Sequence, residues 1–299
     1  ARYNLKDQIE FIDRSPTLRD TALFAVCSGK AEKVLSTVDE NVMTTSSAYI
    51  ISLLNRSVTT GAAFPVTIHD VTEMLAISGW EAVIPRVIST APDSSKSEIV
   101  GKADDIRLDE KYQGGFRVAG MGAFKGDKLV GWLNEKETLG LGWILGKKII
   151  TYKVSDRPSG TDPAEILYFR ISKSGSKIKA SLVNNEPVIS VEVKVIADLR
   201  KYYSDRGSEY LTPDEIDKIE QILRDSIRSD IHAALKRGQS DLQSDVFGFG
   251  FAFFREYPYL WKSDYEQIWA DVFPDVQVNV TVEAKVINTG SNIRKLVVQ

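Results

Sequence analysis

Two glycine-bearing stretches are the first candidates for chemistry. In "FGFGFAFFREYP", Phe247 to Pro258, Gly248 and Gly250 alternate with aromatic residues. In "GMGAFKG", Gly120 to Gly126, three glycines precede a turn. Glycine amides hold phosphate when they open a helix after a strand, in the pattern G-x-G-x-x-G or with a Walker lysine. Neither stretch meets that pattern. Phe253 occupies the third glycine position of the first, and in the second Gly126 falls one place late and leads into a hairpin. The glycines read instead as packing devices. An extended segment lines up Phe247, Phe249, Phe251 and Phe253 on one face, with Gly248, Gly250 and Ala252 on the other. A helix through residues 244–256 would set the small residues against the long helix that precedes them. Either way another backbone can lie close.

Other reactive residue types are sparse. The histidines are His69 and His232. His232 falls among the polar positions of a predicted helix, and Asp70 beside His69 is explained by helix-start chemistry. No G-x-S-x-G elbow accompanies them. With Cys27 as the lone cysteine, a zinc site of nitrogen and sulfur ligands has no ligand set. Cys27 lies in the apolar run "TALFAVCSG" and reads as a buried structural thiol. The acidic cluster Asp104, Asp105, Asp109 and Glu110 lacks the spacing of a calcium loop and reads as a solvated linker. No catalytic, cofactor-binding or metal residue is assigned on these grounds. Paired carboxylates for a hydrolase stay open, because spacing in sequence does not reveal spacing in space.

The elements that position these residues suggest an α+β, multi-domain chain. Leu5, Ile9 and Ile12 share a helical face, with Phe11 near its edge, and Pro16 breaks the pattern. "TALFAVCSG" predicts a buried strand of about six to eight residues. Helices are expected over "KAEKVLST", over "SSAYIISLLNRSVTT" ending at Gly61, and after Thr67 or Asp70. Pro85 in "WEAVIPRVIST" predicts an edge strand or a bend. A hairpin turns at Lys125-Gly126-Asp127, and Asn134 caps a helix that Gly140, Gly142 and Gly146 weaken.

Three strands follow, with turns expected at Ser174-Gly175 and Asn184-Asn185. A long helix starts at Thr212 with Pro213 and a capping Glu215, and Gly238 is its expected stop. Trp261, Tyr265 and Trp269 recur every four residues, the spacing of a helix face buried on a sheet. Val276, Val278, Val280 and Val282 alternate with polar residues in a last strand. The polar stretch around residues 92–115 places a boundary. The expected domains are 1–105, the remainder of an α/β domain; 106–155, a small hairpin-helix domain; and 156–299, a mainly antiparallel sheet with a long capped helix.

Composition narrows the partners. The 299 residues carry 38 basic and 41 acidic side chains, a net charge of −3. No strong field gathers nucleic acid, so no nucleic-acid partner is expected. No apolar run reaches the roughly 20 residues that span a bilayer.

Three segments together carry a resemblance. "SDVFGFGFAFFREYPYLWKSDYEQIWADVFPDVQVNVTVEAKVINTG", Ser244 to Gly290, resembles the end of the Ger(x)C lipoprotein family, the C subunits of bacterial spore germination receptors. The shared features are D-x-F-G-F-G over Asp245, Phe247, Gly248, Phe249 and Gly250, then Pro258 and Trp261, then Trp269, then Phe273-Pro274 and the valine strand. "GMGAFKGDKLVGWLNEKETLGLGWILGK", with Gly131 and Trp132, resembles the family's G-x-A-V-F-K-x-D-K-L-V-G-W-L block. "FIDRSPTLRDTALFAVCSGKAEKVL" is more weakly similar to its R-D-P-x-x-R block.

The resemblance implies a non-enzymatic subunit of a nutrient germinant receptor, with no cofactor. It implies two integral membrane partner subunits and attachment to the extracytoplasmic face of the inner spore membrane. Members carry a signal peptide and a lipid-bearing cysteine ahead of the first domain. The resemblance implies an N-terminally truncated chain that lacks this anchor, and Cys27 is not the anchoring cysteine. Two alternatives are a module that itself binds a small nutrient and a hydrolase with paired carboxylates.

Overall fold

The computed structural model describes residues 4–14, 19–27, 29, 31–36, 45–89, 116–156, 165–202 and 211–288. Pro16, the linker at 92–115 with its acidic cluster, and the boundary at 105/106 lie outside the described residues.

The first half is built from short pieces. Helix α1, Leu5–Asp13, starts where the Asn4 side chain accepts the Asp7 amide at 2.8 Å. Leu5 and Ile9 are buried, and Phe11 is left at the surface. The expected single strand over 21–29 forms differently: β1, Leu23–Phe24, and β2, Val26–Cys27, enter two different sheets and are only partly buried. The apolar run is real, but it divides its pairing. The Cys27 thiol donates to the Gly29 carbonyl, and partial burial pushes its pKa up.

Helix α2 is Ala31–Ser36, and α3, Ser46–Thr60, ends on Gly61 in the left-handed region at φ +71°. Strand β3, Val66–Thr67, pairs with β1. Thr67 then caps α4, Ile68–Ala76, with Asp70 returning the bond in a capping box.

Strand β4, Val83–Ser89, lies between β2 and β5, Phe116–Lys125, with β6, Lys128–Leu133, outside β5. Pro85 therefore stands on an inner strand, not an edge. Its cost is absorbed by a register shift between Pro85 and Val87, so the bend was the correct half of that expectation. The hairpin turns at Gly126, φ +58°. Helix α5, Glu135–Ile144, runs through Gly140 and Gly142 after an Asn134–Glu137 capping box. A Cβ on Gly140 would sit 2.0 Å from the Asp230 carbonyl oxygen, so close helix packing outweighs the low propensity of glycine.

The second half is built from long elements. Strands β7, Thr151–Asp156, β8, Glu165–Val183, and β9, Glu186–Tyr202, are antiparallel neighbours. The turn expected at Ser174-Gly175 is absent: β8 passes straight through, with an irregularity between Ile171 and Lys173. The hairpin turn falls at Asn184 and Asn185, both at positive φ. Helix α6, Pro213–Leu235, opens on the Thr212–Glu215 capping box and buries Ile219, Leu223, Ile227 and Ile231 against the sheet.

Gly238 does not stop the helix. The chain winds on as a π-turn, Lys236–Leu242, and stops at Gln243, φ +49°. Gly238 is instead buried against the Phe247 ring. Helix α7 is Phe249–Glu256, and the last strand, β10, Gln277–Asn288, pairs parallel with β9. Joining parallel neighbours requires a crossover, and the stretch containing α6 supplies it. The sheet order is β10-β9-β8-β7, and the fold is α+β with one mixed and mainly antiparallel C-terminal sheet.

Candidate functional site

The glycine–aromatic segment forms a buried junction centred on Asp245. The reason is local. The π-turn delivers Ser244 and Asp245 into the interior, where the Ser244 hydroxyl donates to the Phe124 carbonyl. Gly248 adopts φ +70°, which reverses the chain and starts α7. The first amides of a helix lack partners within it. Here the Asp245 carboxylate accepts them: Phe249 N–H at 3.0 Å, Gly250 N–H at 2.8 Å, and also Trp269 Nε1–H at 2.9 Å. Burial pushes the Asp245 carboxyl up to about 6 against the pull of those three donors.

The junction reaches into the first half through the loop after α4. Phe251 N–H donates to the Gly79 carbonyl at 3.0 Å, and Glu81 N–H donates to the Asp245 carbonyl at 3.0 Å. A Cβ on Gly250 would lie 2.7 Å from Gly79 Cα and 2.5 Å from Trp269 Nε1. One on Gly248 would press on the Trp80 ring at 3.2 Å. Glu81 continues the link, since its carboxylate accepts Gly126 N–H at the hairpin tip, and burial pushes its pKa up.

Around this point Phe247 and Phe249 stack at 5.0 Å, each 6.4 Å from Phe273. Phe253 stacks on Trp269 at 6.0 Å, and Trp261 lies 5.4 Å from Trp269.

The glycine amides are therefore taken by Asp245, and the segment packs backbone on backbone. Two expected details differ. Gly250 meets the Gly79 loop and the Trp269 indole, not the long helix. Trp261, Tyr265 and Trp269 do not share one helix: Pro258–Leu260 is one turn, Trp261–Tyr265 a π-turn, and Trp269–Val272 a separate turn. Their rings converge on Phe253 of α7 and not on a sheet face. Two breaks in the winding bring the rings round.

Of the motif residues, Phe247, Gly248, Phe249, Gly250, Trp261, Trp269 and Phe273 meet in this cluster. Pro258 opens its turn at the surface, and Pro274 sits half-buried in the turn Phe273–Asp275. Gly131 and Trp132 make a second contact. The Leu242 side chain covers Gly131, Arg237 Nε–H donates to the Trp132 carbonyl at 3.1 Å, and the Arg86 guanidinium lies 4.3 Å over the Trp132 ring. Both contacts join the β4–β6 sheet region to the segment that follows α6.

No group of three or more His, Cys, Asp or Glu side chains fit to hold a metal occurs among the described residues. Nor, among them, is any helix long and apolar enough to cross a membrane. A groove of about 710 Å³ lies along β8, β9 and β10 and includes Glu192, Glu220 and Glu283. Glu283 pairs with Lys194 at 2.9 Å, and Glu220 accepts Val286 N–H at 2.9 Å, so two of the three acids hold the sheet and its edge.

The family described as spore germination B3/GerAC like, C-terminal, matches residues 119–290. The chain belongs to that family. The spore germination protein N-terminal domain family matches residues 1–89. Spore germination protein YndF of Bacillus subtilis (strain 168) is 29% identical over 182 residues, which is 60% of this chain and 42% of YndF. Spore germination protein B3 of the same organism is 24% identical over 231 residues, 76% of this chain and 59% of that protein. The chain thus spans about half the length of these relatives. The crystal structure of the GerBC protein has the same fold, with a TM-score of 0.68 at 20% identity over 95% of this chain and 75% of that one.

In this GerAC-family chain the junction ties the segment matched by the N-terminal family to the one matched by the C-terminal family. Sequence reasoning placed Asp245 only as a motif letter and missed Gly79, Trp80 and Glu81. The usual capping spacing does not reveal Asp245, because it stands three residues ahead of the N-cap glycine Gly248 and reaches the first amides of α7 only through the reversal at that glycine. Nothing in the Gly79-Trp80-Glu81 stretch marks it as the other half of a distant contact.

Proposed function

We propose that the chain is a non-enzymatic part of a lipoprotein subunit of a nutrient germinant receptor. It acts as an interaction scaffold for integral membrane partner subunits at the extracytoplasmic face of the inner spore membrane. A lipid on a cysteine outside this sequence would tether it, and one acyl chain alone holds only weakly, so the partner subunits supply the remaining attachment.

The observation that carries this reading is how the motif residues are used. Every glycine amide and ring of the family motif that lies at the junction is bonded or packed inside the molecule, around a carboxylate that accepts three N–H groups. Such residues fix the relative placement of two segments and leave no reacting group facing solvent. A scaffold needs that property, because partners read a rigid outline.

The test is genetic and biochemical. Spores lacking this subunit should lose germination through its own receptor, and the purified partners should fail to assemble. Normal germination of the deletion strain through that receptor would overturn the proposal.

A further inference from the structure

The C-terminal sheet has a second face that the junction does not use. Strands β8, β9 and β10 lie side by side, so residues directly opposite one another share a face, as do residues two apart on one strand. One face carries Val191, Val193 and Val195 into the core. On the other stand Lys173, Lys177 and Lys179 of β8, Lys194 of β9 and Lys285 of β10, all exposed. The acids on that face among them are Glu192 and Glu283. Five lysines against two glutamates make a positive face on a chain whose net charge is −3. Glu283 engages Lys194 at 2.9 Å. Among the described residues no ion pair holds Lys173, Lys177, Lys179 or Lys285. Their charge is not neutralised within the molecule.

Spacing and residue type select the partner. Six residues of strand and three strands side by side spread the lysines over about 20 Å by about 10 Å. The array is two-dimensional, not a line. Lysine is a compact charge on a flexible stem and lacks the fork that arginine offers a fixed carboxylate or phosphate. Residues 173–179, 190–196 and 279–285 include no arginine and no aromatic residue, so a nucleic acid finds no ring to stack on. Four of the lysines, Lys173, Lys177, Lys194 and Lys285, line the groove of about 710 Å³, with Gly175 and Ile196 between them. The space above Gly175 is open, so a headgroup can stand among the stems.

We propose that this sheet face docks on the surface of an anionic phospholipid bilayer. Flexible point charges spread over an area match negative charges that are themselves mobile in a plane. The choice of a bilayer over an acidic protein rests on the membrane attachment proposed above. One acyl chain gives marginal attachment, and a polybasic surface is a second signal that makes it stable. The face would act beside the partner subunits, and each lysine near such a surface is worth about fivefold in binding.

The purified chain, carrying no lipid, is sedimented with vesicles of phosphatidylglycerol and phosphatidylcholine in equal parts, and with vesicles of phosphatidylcholine alone. Anchor and partner subunits are absent from this assay, so its failure leaves the deletion-strain test of the scaffold reading standing. Binding to the anionic vesicles at about 0.1 M salt is expected, lost at about 1 M and absent on phosphatidylcholine. Lys177→Gln combined with Lys179→Gln, both at exposed positions, should weaken binding by about twentyfold. Lys6→Gln combined with Lys128→Gln makes the same change in net charge on α1 and β6, away from this sheet, and should leave binding as it was. No binding to the anionic vesicles, binding that ignores salt, equal loss in the two double variants, or tighter binding of polyglutamate or of a single-stranded oligonucleotide would each overturn the proposal.

Discussion

Two buried carboxylates, Asp245 and Asp230, sit at opposite kinds of contact. Asp245 accepts two amides of its own following helix and one indole, and it is fully enclosed. Asp230, on α6, accepts the Tyr152 hydroxyl from β7 at 2.6 Å, and that hydroxyl also lies 2.8 Å from Ser226 Oγ. Burial pushes both carboxyls up to about 6. Burial and the Asp230 charge likewise push the Tyr152 hydroxyl pKa well up. The difference lies in who supplies the donors. Backbone amides cannot move away from Asp245 without unwinding a helix, whereas Tyr152 can turn to Ser226. The first is a structural cap and the second a replaceable polar contact.

Each carboxylate also has a glycine beside it, and the largest expected effects come from filling those positions. Gly140→Ala would set a methyl 2.0 Å from the Asp230 carbonyl oxygen, and Gly250→Ala one 2.7 Å from Gly79 Cα. Both obstacles are backbone. Each change should destabilise by about 3 kcal/mol or more, or prevent folding. Melting temperature and soluble yield check this. A Gly250→Ala chain as stable as the parent would show that the junction is not backbone on backbone.

Next come the carboxylates themselves. Asp245→Ala strands three buried donors, and each unmet group costs about 1–3 kcal/mol, so a loss of about 3 kcal/mol or more is expected. Asp230→Ala leaves the Tyr152 hydroxyl its bond to Ser226, so about 1–2 kcal/mol is expected. Denaturant unfolding of the two variants side by side tests the ranking. Equal losses would erase the distinction between cap and contact.

The same comparison explains what the sequence could reveal. The Thr212–Glu215 capping box, the helix stop at Gly61, the turn glycine Gly126 and the valine alternation are local, so residues a few places apart disclosed them. The Thr212–Glu215 start of α6 was legible for that reason. Gly238 misled because its small size serves the Phe247 ring, a contact nine residues away in a chain that keeps winding. Ser174-Gly175 misled because turn-forming residues also occur in long strands where pairing on one side holds the backbone. The pairing of Gly79 with Gly250 lies wholly in tertiary contact, and no spacing rule reaches across it. The junction was thus read in half: its composition from the motif, its partner only from the fold.

A pH effect should follow from the raised carboxyls. Asp245 rises from an ordinary 3.8 to about 6, so the folded chain holds a proton that the unfolded chain has released. Its contribution to stability is full below about pH 4, falls as pH rises to about 6, and is then gone, with an upper size of about 3 kcal/mol. The nearby Glu81, also raised by burial, acts in the same direction. Asp245→Asn carries no such titration. Its deficit relative to the parent should be largest near pH 4 and shrink toward pH 7 in paired melting curves. A deficit that grows with pH would mean the three donors hold the carboxylate ionised and outweigh burial.

The smallest effects should mark where a glycine is only incidental. Gly131→Ala would place a methyl 2.5 Å from Leu242 Cδ2, the end of a flexible side chain that can rotate away. A loss of about 1 kcal/mol is expected, with the Arg237 bond to the Trp132 carbonyl kept. On β8, a Cβ at Gly175 meets nothing within 4 Å. Gly175→Ala should therefore stabilise by about 0.5 kcal/mol, since alanine loses less backbone freedom on folding. Measured together, Gly250, Gly131 and Gly175 form a series of one substitution against backbone, side chain and open space. If the three melting temperatures fell in any other order, packing distance would not be what makes these glycines necessary.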